Sequence, residues 1–326
     1  MNFLIRLLKL FFKLLVPSIK YRVKISRKFF GDKKTFELMG IKYIDELEVD
    51  RKVNYNISGI FEGQRTPKLI VSLTSYPARM VGLKYALYSL LNQNLKPNEI
   101  VLWLSYEEFS DKENSVSDDI LNFRKNGLLI KFCHDLKSYK KLIPSLREYM
   151  DCIIATADDD IYYEKNWLEK LYAAYLKEPQ YIHCHRSHEI LFDKNGKLKP
   201  YNSWKHGLNW NQVKPSFMNF FTGVGGVLYP PYSLHQNILD EELFLKLAPT
   251  ADDIWFWAMA VLQGTKINIV KENILNMIEL NLIRELVGEG CSLQQTNVFQ
   301  GKNDEQLENV LNKFPEIRSM ILGEKS

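Results

Sequence analysis

Two acidic groups hold the residue types that could do chemistry. Asp158-Asp159-Asp160 stands directly after the apolar run Cys152–Ala157, and Asp252-Asp253 opens the amphipathic stretch Ile254–Leu262. Three adjacent carboxylates repel one another unless a cation is present, and hard oxygen ligands suit Mg²⁺ or Mn²⁺, which can also hold a substrate diphosphate. A carboxylate in the first turn of a helix feels the positive end of the helix dipole, which favours the ionised form that a general base needs. The competing reading of both groups is structural: one aspartate caps a helix and its neighbours are solvated. An apolar strand leading straight into Asp158 weighs against that reading for the first group.

Between the two groups lies Thr222-Gly223-Val224-Gly225-Gly226. It lacks the third glycine of a dinucleotide-binding loop, and Tyr229-Pro230-Pro231 follows where a helix should begin, so the glycines are expected to let backbone approach a sugar or to allow a tight strand turn. His183, His185 and His188 invite a zinc reading, because positions 183 and 185 share one face of a strand. No HExxH spacing supports it, and packing is the expected role. One histidine of this group, or His206, is a candidate to complete a Mn²⁺ shell. Trp204, Trp210, Trp255 and Trp257 offer faces for sugar rings; core or rim packing is the commoner fate, and one or two of them, with Trp255 first, are assigned to an acceptor.

The elements that must position these residues follow from periodicity. Lys68–Thr74 is an apolar strand ended by Ser75-Tyr76-Pro77, since proline cannot continue a central strand. Leu83, Leu87, Leu90 and Leu91 predict a helix over 82–94, and Glu99–Ser105 and Leu128–Cys133 predict two further strands. A helix is expected over Tyr139–Met150, then the apolar run before Asp158 and a helix through Trp167, Leu168 and Leu171. The order β-α-β-β-α-β implies an α/β fold with a mostly parallel sheet covered by helices, its ligand site beyond the carboxyl ends of the strands.

Taken in order, IVSLTSYPARM, LKYALYSLLNQNLKPNEIVLWLS, SYKKLIPSL, CIIATADDDIYYEKNWLEKL, FFTGVGGVLYPP and TADDIWFWAMAVLQG resemble a bacterial GT-A nucleotide-sugar glycosyltransferase, family 2-like, of the kind that builds capsule or lipo-oligosaccharide. The resemblance spans roughly residues 67–278. It implies a GT-A (Rossmann-like) fold with a DXD motif, in which Asp158 contacts ribose or nucleotide, Asp159 sits beside it, and Asp160 with Asp158 ligates a divalent metal, Mn²⁺ or Mg²⁺. It implies that Asp253 is the base of an inverting enzyme, with Asp252 next to it, and that Gly223, Gly225 and Gly226 shape the acceptor pocket. Thr74, Ser75, Tyr76 and Arg79 would border the nucleoside, and Lys140 or Lys141 would face phosphate or base. The uracil-reading aspartate that often follows the second strand is missing from Leu102-Trp103-Leu104-Ser105, and Asp135 is the candidate substitute. The implied partners are a nucleotide-sugar donor, a UDP-sugar favoured, and a glycan or lipid-linked glycan acceptor.

Length and composition agree with an enzyme. The 326 residues are 46% hydrophobic and 25% charged, as in an ordinary globular protein. Residues 1–30 carry eight Lys or Arg and no acid, so a chain of net +4 has a remainder of net −4. A mildly acidic body argues against nucleic acid as a partner. Residues 1–16 are apolar but interrupted by Arg6, Lys9 and Lys13, which on a helix form one cationic stripe. That pattern suits a helix lying in an anionic membrane interface better than a signal peptide or a spanning helix, with packing on the protein's own body as the alternative. The expected organisation is a membrane-association segment at 1–30, a connector at 31–66, a catalytic domain at 67–280 and a helical extension at 281–326. The expected location is the cytoplasmic face of the inner membrane, peripheral. The four cysteines show no framework spacing and are expected reduced. The rival functions are a metal-dependent phosphoesterase or nucleotidyltransferase, and a non-catalytic peripheral membrane protein with a structural cation site.

Overall fold

Apolar runs flanked by turn residues become the strands. In the computed structural model, which describes residues 44–280, 297 and 301–324 with scattered positions between 21 and 42, they are β1 Leu69–Thr74, β2 Glu99–Ser105, β3 Leu128–Cys133, β4 Ile153–Thr156, β5 Ile161–Tyr162, β6 Ile182–Cys184, β7 Ser187–Glu189, β8 Asn219–Phe221, β9 Val227–Tyr229, β10 Ile267–Ile269 and β11 Ile278–Glu279. Seven of them form one sheet in the order β10-β6-β9-β4-β1-β2-β3, while β11 pairs with β5 and β7 with β8. β1 runs parallel to β2 and β4, β2 to β3 and β10 to β6; β9 alone in this sheet runs against its neighbours β4 and β6. This is the mostly parallel α/β sheet that the alternation predicted. Central strands buried on both faces read as continuous apolar runs, and β1 and β4 are buried along nearly their whole length.

The helices cover both faces. Met80–Leu91 and Trp167–Lys177 pack on one side, where Leu83, Leu87, Leu90, Leu168 and Leu171 are inaccessible beside Leu69, Val71 and Leu73 of β1. On the other side the helix Asp252–Gln263 is apolar all round, with Ile254 through Val261 buried. Lys302–Lys313 and Glu316–Gly323 close over it, placing Leu307, Val310, Leu311, Phe314, Ile317 and Ile321 in the same cluster as Trp255 and Trp257. The C-terminal helices therefore share a core with the sheet.

One predicted helix is broken. In place of a single helix over Tyr139–Met150 there is a 3₁₀ turn, Lys137–Lys141, followed by a short helix, Ile143–Glu148, with Pro144 in its first turn. Pro144 has no N–H to bond back to the Lys140 carbonyl, so one continuous helix cannot run through the turn. The break turns Lys140 and Lys141 toward the carboxyl edge of the sheet. The expected amphipathic helix within residues 1–16 lies outside the described residues.

Candidate active site

The carboxyl ends of β1, β3, β4 and β6 and the amino end of the reversed strand β9 meet at one edge of the sheet, and a cleft of about 680 Å³ opens there. Crevices at this edge are the usual ligand sites of open α/β sheets. Eight carboxylates and five cations are among the residues that line it. Thr74, Ser75, Tyr76 and Arg79 follow β1; Asp135, Lys140 and Lys141 follow β3; Asp158, Asp159 and Asp160 follow β4; Asp252 and Asp253 open their helix. The sequence-derived donor, metal and base residues thus converge on one wall.

Each acidic residue has a defined environment. Arg79 Nη1 donates to Asp159 Oδ1 at 2.8 Å and to Asp160 Oδ2 at 2.6 Å, while Ser75 Oγ donates to the other oxygen of Asp159. Burial opposes the charge of Arg79, but Asp160 and Asp159 outweigh it and hold the guanidinium more firmly charged than usual. Burial pushes the Asp159 carboxyl up, against the pull of Arg79 and Ser75. Asp159 is a structural clamp between β1 and the acidic turn. Neither acidic group serves as a helix cap: the N-cap positions are Asn166 and Ala251, and neither makes a side-chain cap bond.

Lys141 joins the two groups. Its buried Nζ lies 3.0 Å from Asp158 Oδ1 and 3.0 Å from Asp252 Oδ2. Burial favours the neutral amine, yet Asp158, Asp252 and Asp253 outweigh it and keep the ammonium well above its ordinary range. Asp253 Oδ2 accepts a hydrogen bond from the Gly223 N–H at 2.9 Å. Burial raises the Asp253 carboxyl, Lys141 lowers it and Asp252 raises it again, with a net pKa of about 7. A carboxylate poised near neutrality suits a general base. Lys140 makes a different pair, with Asp135 and at 3.3 Å with Glu108. Its contacts leave Asp135 lower than usual despite partial burial.

The acceptor assignments need correction. Trp255 has no exposed surface, packs against Phe244 and Phe314, and donates its indole N–H to the Ile238 carbonyl. It faces inward on an all-apolar helix, so it is a core residue, and Trp204, Trp210 and Trp257 are also absent from the cleft wall. Trp255→Phe should lower stability by about 1–3 kcal/mol and leave acceptor KM unchanged, a split that denaturation and steady-state kinetics measure. The glycines lie behind the cleft surface, which Thr222 and Val224 form. A Cβ at Gly223 would sit 2.6 Å from Lys141 Nζ and 2.9 Å from Asp253 Oδ1, while Gly226, at φ +80, would drive one into Trp167. They make room for the charged cluster and for close packing of β9 on Trp167.

The sequence reading missed Arg186, Tyr201 and Phe220, which form the far wall of the cleft with the already nominated His188 and His206. Tyr201 and Phe220 carry no motif that marks them. His183 and His185 are buried among backbone carbonyls, bonded to Glu178 and Trp167, and burial lowers both to about 4. These two are packed, neutral imidazoles. His206 bonds to the Tyr201 carbonyl, and its ring centre lies 4.1 Å from that of His188, with the planes tilted by 47°.

A divalent cation fits the acidic turn. Mg²⁺ and Mn²⁺ at nucleotide sites are commonly held by one or two carboxylates, with phosphate oxygens and water completing the shell. Asp158 and Asp160 keep side-chain exposures of 24% and 20% at the cleft, enough for such a pair to reach a ligand. No group of three or more His, Cys, Asp or Glu able to hold a metal without a substrate occurs among the described residues.

No protein-family model matches the sequence, and no curated protein matches it. Among solved structures, residues 1–349 of TarS from S. aureus align over 77% of this chain and 80% of that one, with 14% identity and a TM-score of 0.43. A 4-diphosphocytidyl-2C-methyl-D-erythritol synthase aligns over 69% of this chain and 98% of its own, with 11% identity and a TM-score of 0.39. Likeness at this level carries no weight for function, which is argued from the cleft itself.

Proposed function

We propose that the protein is a GT-A glycosyltransferase that moves a sugar from a nucleotide diphosphate to a hydroxyl of a surface glycan, with inversion. The observation that carries this reading is the convergence of Asp253 and the Asp158–Asp160 turn on one cleft wall, with Lys141 within 3.0 Å of both Asp158 and Asp252. The diphosphate binds at the acidic turn, and the nucleoside lies toward Thr74, Ser75 and Tyr76. Asp158 and Asp160 hold the divalent cation, which supplies charge neutralisation for the departing diphosphate. Lys141 adds a fixed positive charge next to that position. Asp253 Oδ1, which accepts no hydrogen bond among the described residues, takes the proton of the acceptor hydroxyl. The acceptor oxygen then bonds to the anomeric carbon as the carbon–phosphate-oxygen bond breaks on the opposite face.

Screening nucleotide sugars with Mn²⁺ tests this reading through thermal stabilisation and slow release of free sugar and nucleoside diphosphate. The expected result is one donor that stabilises only with metal and is slowly hydrolysed. Release of pyrophosphate or phosphate instead would support the nucleotidyltransferase or phosphoesterase reading, and silence toward every donor would support the non-catalytic one.

Membrane attachment through the basic N-terminal segment belongs to the same proposal. Each Lys or Arg at an anionic surface contributes ~1 kcal/mol, and the apolar face adds burial. Because Ser26 is 2% exposed and accepts a hydrogen bond from Thr35, the test removes only residues 1–20. The shortened protein should stop co-sedimenting with anionic liposomes and keep its activity on a short soluble acceptor. Aggregation or loss of fold would mean that the segment packs on the body.

A further inference from the structure

The far wall of the cleft holds a cation that has no partner among the described residues. Arg186 follows β6 and lines the cleft half-buried, yet among the described residues its guanidinium makes neither an ion pair nor a hydrogen bond. The other cleft cations next to the acidic groups, Arg79, Lys140 and Lys141, are all paired with carboxylates. A guanidinium partly withdrawn from water and left without a counter-ion is an unfavourable arrangement that an anion relieves, and its planar fork suits a phosphate or carboxylate.

Two further polar side chains on this wall are in the same condition. Asn303 is 8% exposed, lines the cleft, and its amide makes no hydrogen bond among the described residues. Thr222 is 7% exposed, and its hydroxyl has no hydrogen-bond partner among the described residues. The three residues are held together by backbone. The Thr222 N–H donates to the Arg186 carbonyl at 3.1 Å, and Asp304, next to Asn303, accepts from the Tyr201 N–H at 2.7 Å. Tyr201, 8% exposed, borders the wall, and Phe220, 2% exposed, packs against it in edge contact at 6.0 Å between ring centres. The neighbouring His188 is kept neutral at about 3, by burial, His206 and Arg186 in that order. Arg186 is the permanent positive charge of this wall.

Resting on the transferase reading, we infer that this wall is the acceptor subsite and that it takes an anionic sugar, whose phosphate or carboxylate pairs with Arg186 while its hydroxyls meet Asn303 and Thr222. It is joined to the base through one loop, because Gly223, which donates to Asp253, adjoins Thr222, which donates to Arg186. A sugar anchored at Arg186 is thereby held near Asp253. The subsite selects among acceptors by charge, a property that the donor machinery does not require.

The test uses the full chain and four probes in a calorimetric titration: glucose 6-phosphate, glucuronate, methyl glucoside and inorganic phosphate. At least one of the two anionic sugars should bind at least tenfold more tightly than both methyl glucoside and inorganic phosphate. Arg186→Gln should abolish that preference, and Arg186→Lys, which keeps the charge and loses the fork, should retain only part of it. Both variants should bind a nucleoside diphosphate with Mn²⁺ as the wild type does. Unchanged anionic-sugar binding in Arg186→Gln overturns the inference, as does a wild type with no preference for an anionic sugar. Loss of nucleoside diphosphate binding in both variants also overturns it, by moving Arg186 to the donor. If the wild type binds anionic sugars through Arg186 but no nucleotide, the transferase reading fails and the subsite stands. Should Arg186→Gln not fold, Arg186→Lys carries the comparison.

Discussion

Asp253→Asn is expected to lower kcat by about 10²–10⁴, the range that a positioned general base supplies, with a much smaller change in donor affinity. The amide keeps the shape and can still accept from the Gly223 N–H, but it cannot take a proton. A residue that acts in the transition state leaves this signature in kcat rather than in ground-state binding. Loss of donor binding would instead make Asp253 a donor contact, and the same pattern from Asp252→Asn alone would exchange the roles of the two. The wild-type rate should rise with pH and level off above about 7, where Asp253 is ionised. Stability moves the other way. A carboxyl raised above its ordinary value contributes stability that is fully present below about 4 and is lost as pH rises through about 7. The Tm of Asp253→Asn relative to wild type should therefore increase between pH 5 and 8. A flat difference would remove burial as the cause of the raised pKa.

Asp160→Ala is expected to reduce transfer by about 10³ or more, equivalent to about 4 kcal/mol of transition-state stabilisation, and to abolish the effect of Mn²⁺ on donor affinity. The fold should persist, because the clamp between β1 and the acidic turn passes through Asp159, which retains both Ser75 and Arg79. Donor titrations with and without Mn²⁺, beside a melting curve, separate the two effects. Wild-type activity with wild-type metal dependence would sink the assignment of Asp160. Asp159→Ala should behave oppositely, with lower stability and an altered cleft, since its carboxylate is buried in the clamp.

Much of the architecture was legible in the chain. Apolar runs such as LIVSLT, EIVLWLS and the residues before Asp158 are long enough, and bounded by clear enough turn signals, to define strands without help from the rest of the protein. With the order of helices between them, these runs imply a mostly parallel sheet, and the rule that ligands bind beyond its carboxyl ends already places Asp158–Asp160 at a site. Asp252 and Asp253 were readable for the same reason, as the opening turn of an apolar helix. Local spacing also favoured packing over zinc at His183 and His185, whose Nε2 atoms bond to neighbouring backbone carbonyls.

Pairing across the sheet was beyond that reading, because it depends on strand order. The order β10-β6-β9-β4-β1-β2-β3 brings the turns after β1, β3, β4 and β6 to one edge, together with the start of β9. Only then does Lys141 come within reach of both Asp158 and Asp252, and Arg79 within reach of Asp159 and Asp160. A side chain's neighbours at such range leave no periodicity in its own segment. Trp255 shows the limit from the other side: an aromatic beside an acidic motif looks equally suited to a sugar or to a core. The two C-terminal helices decide the matter by closing over it, and the same closure brings Asn303 to the wall where Arg186 stands without a partner among the described residues.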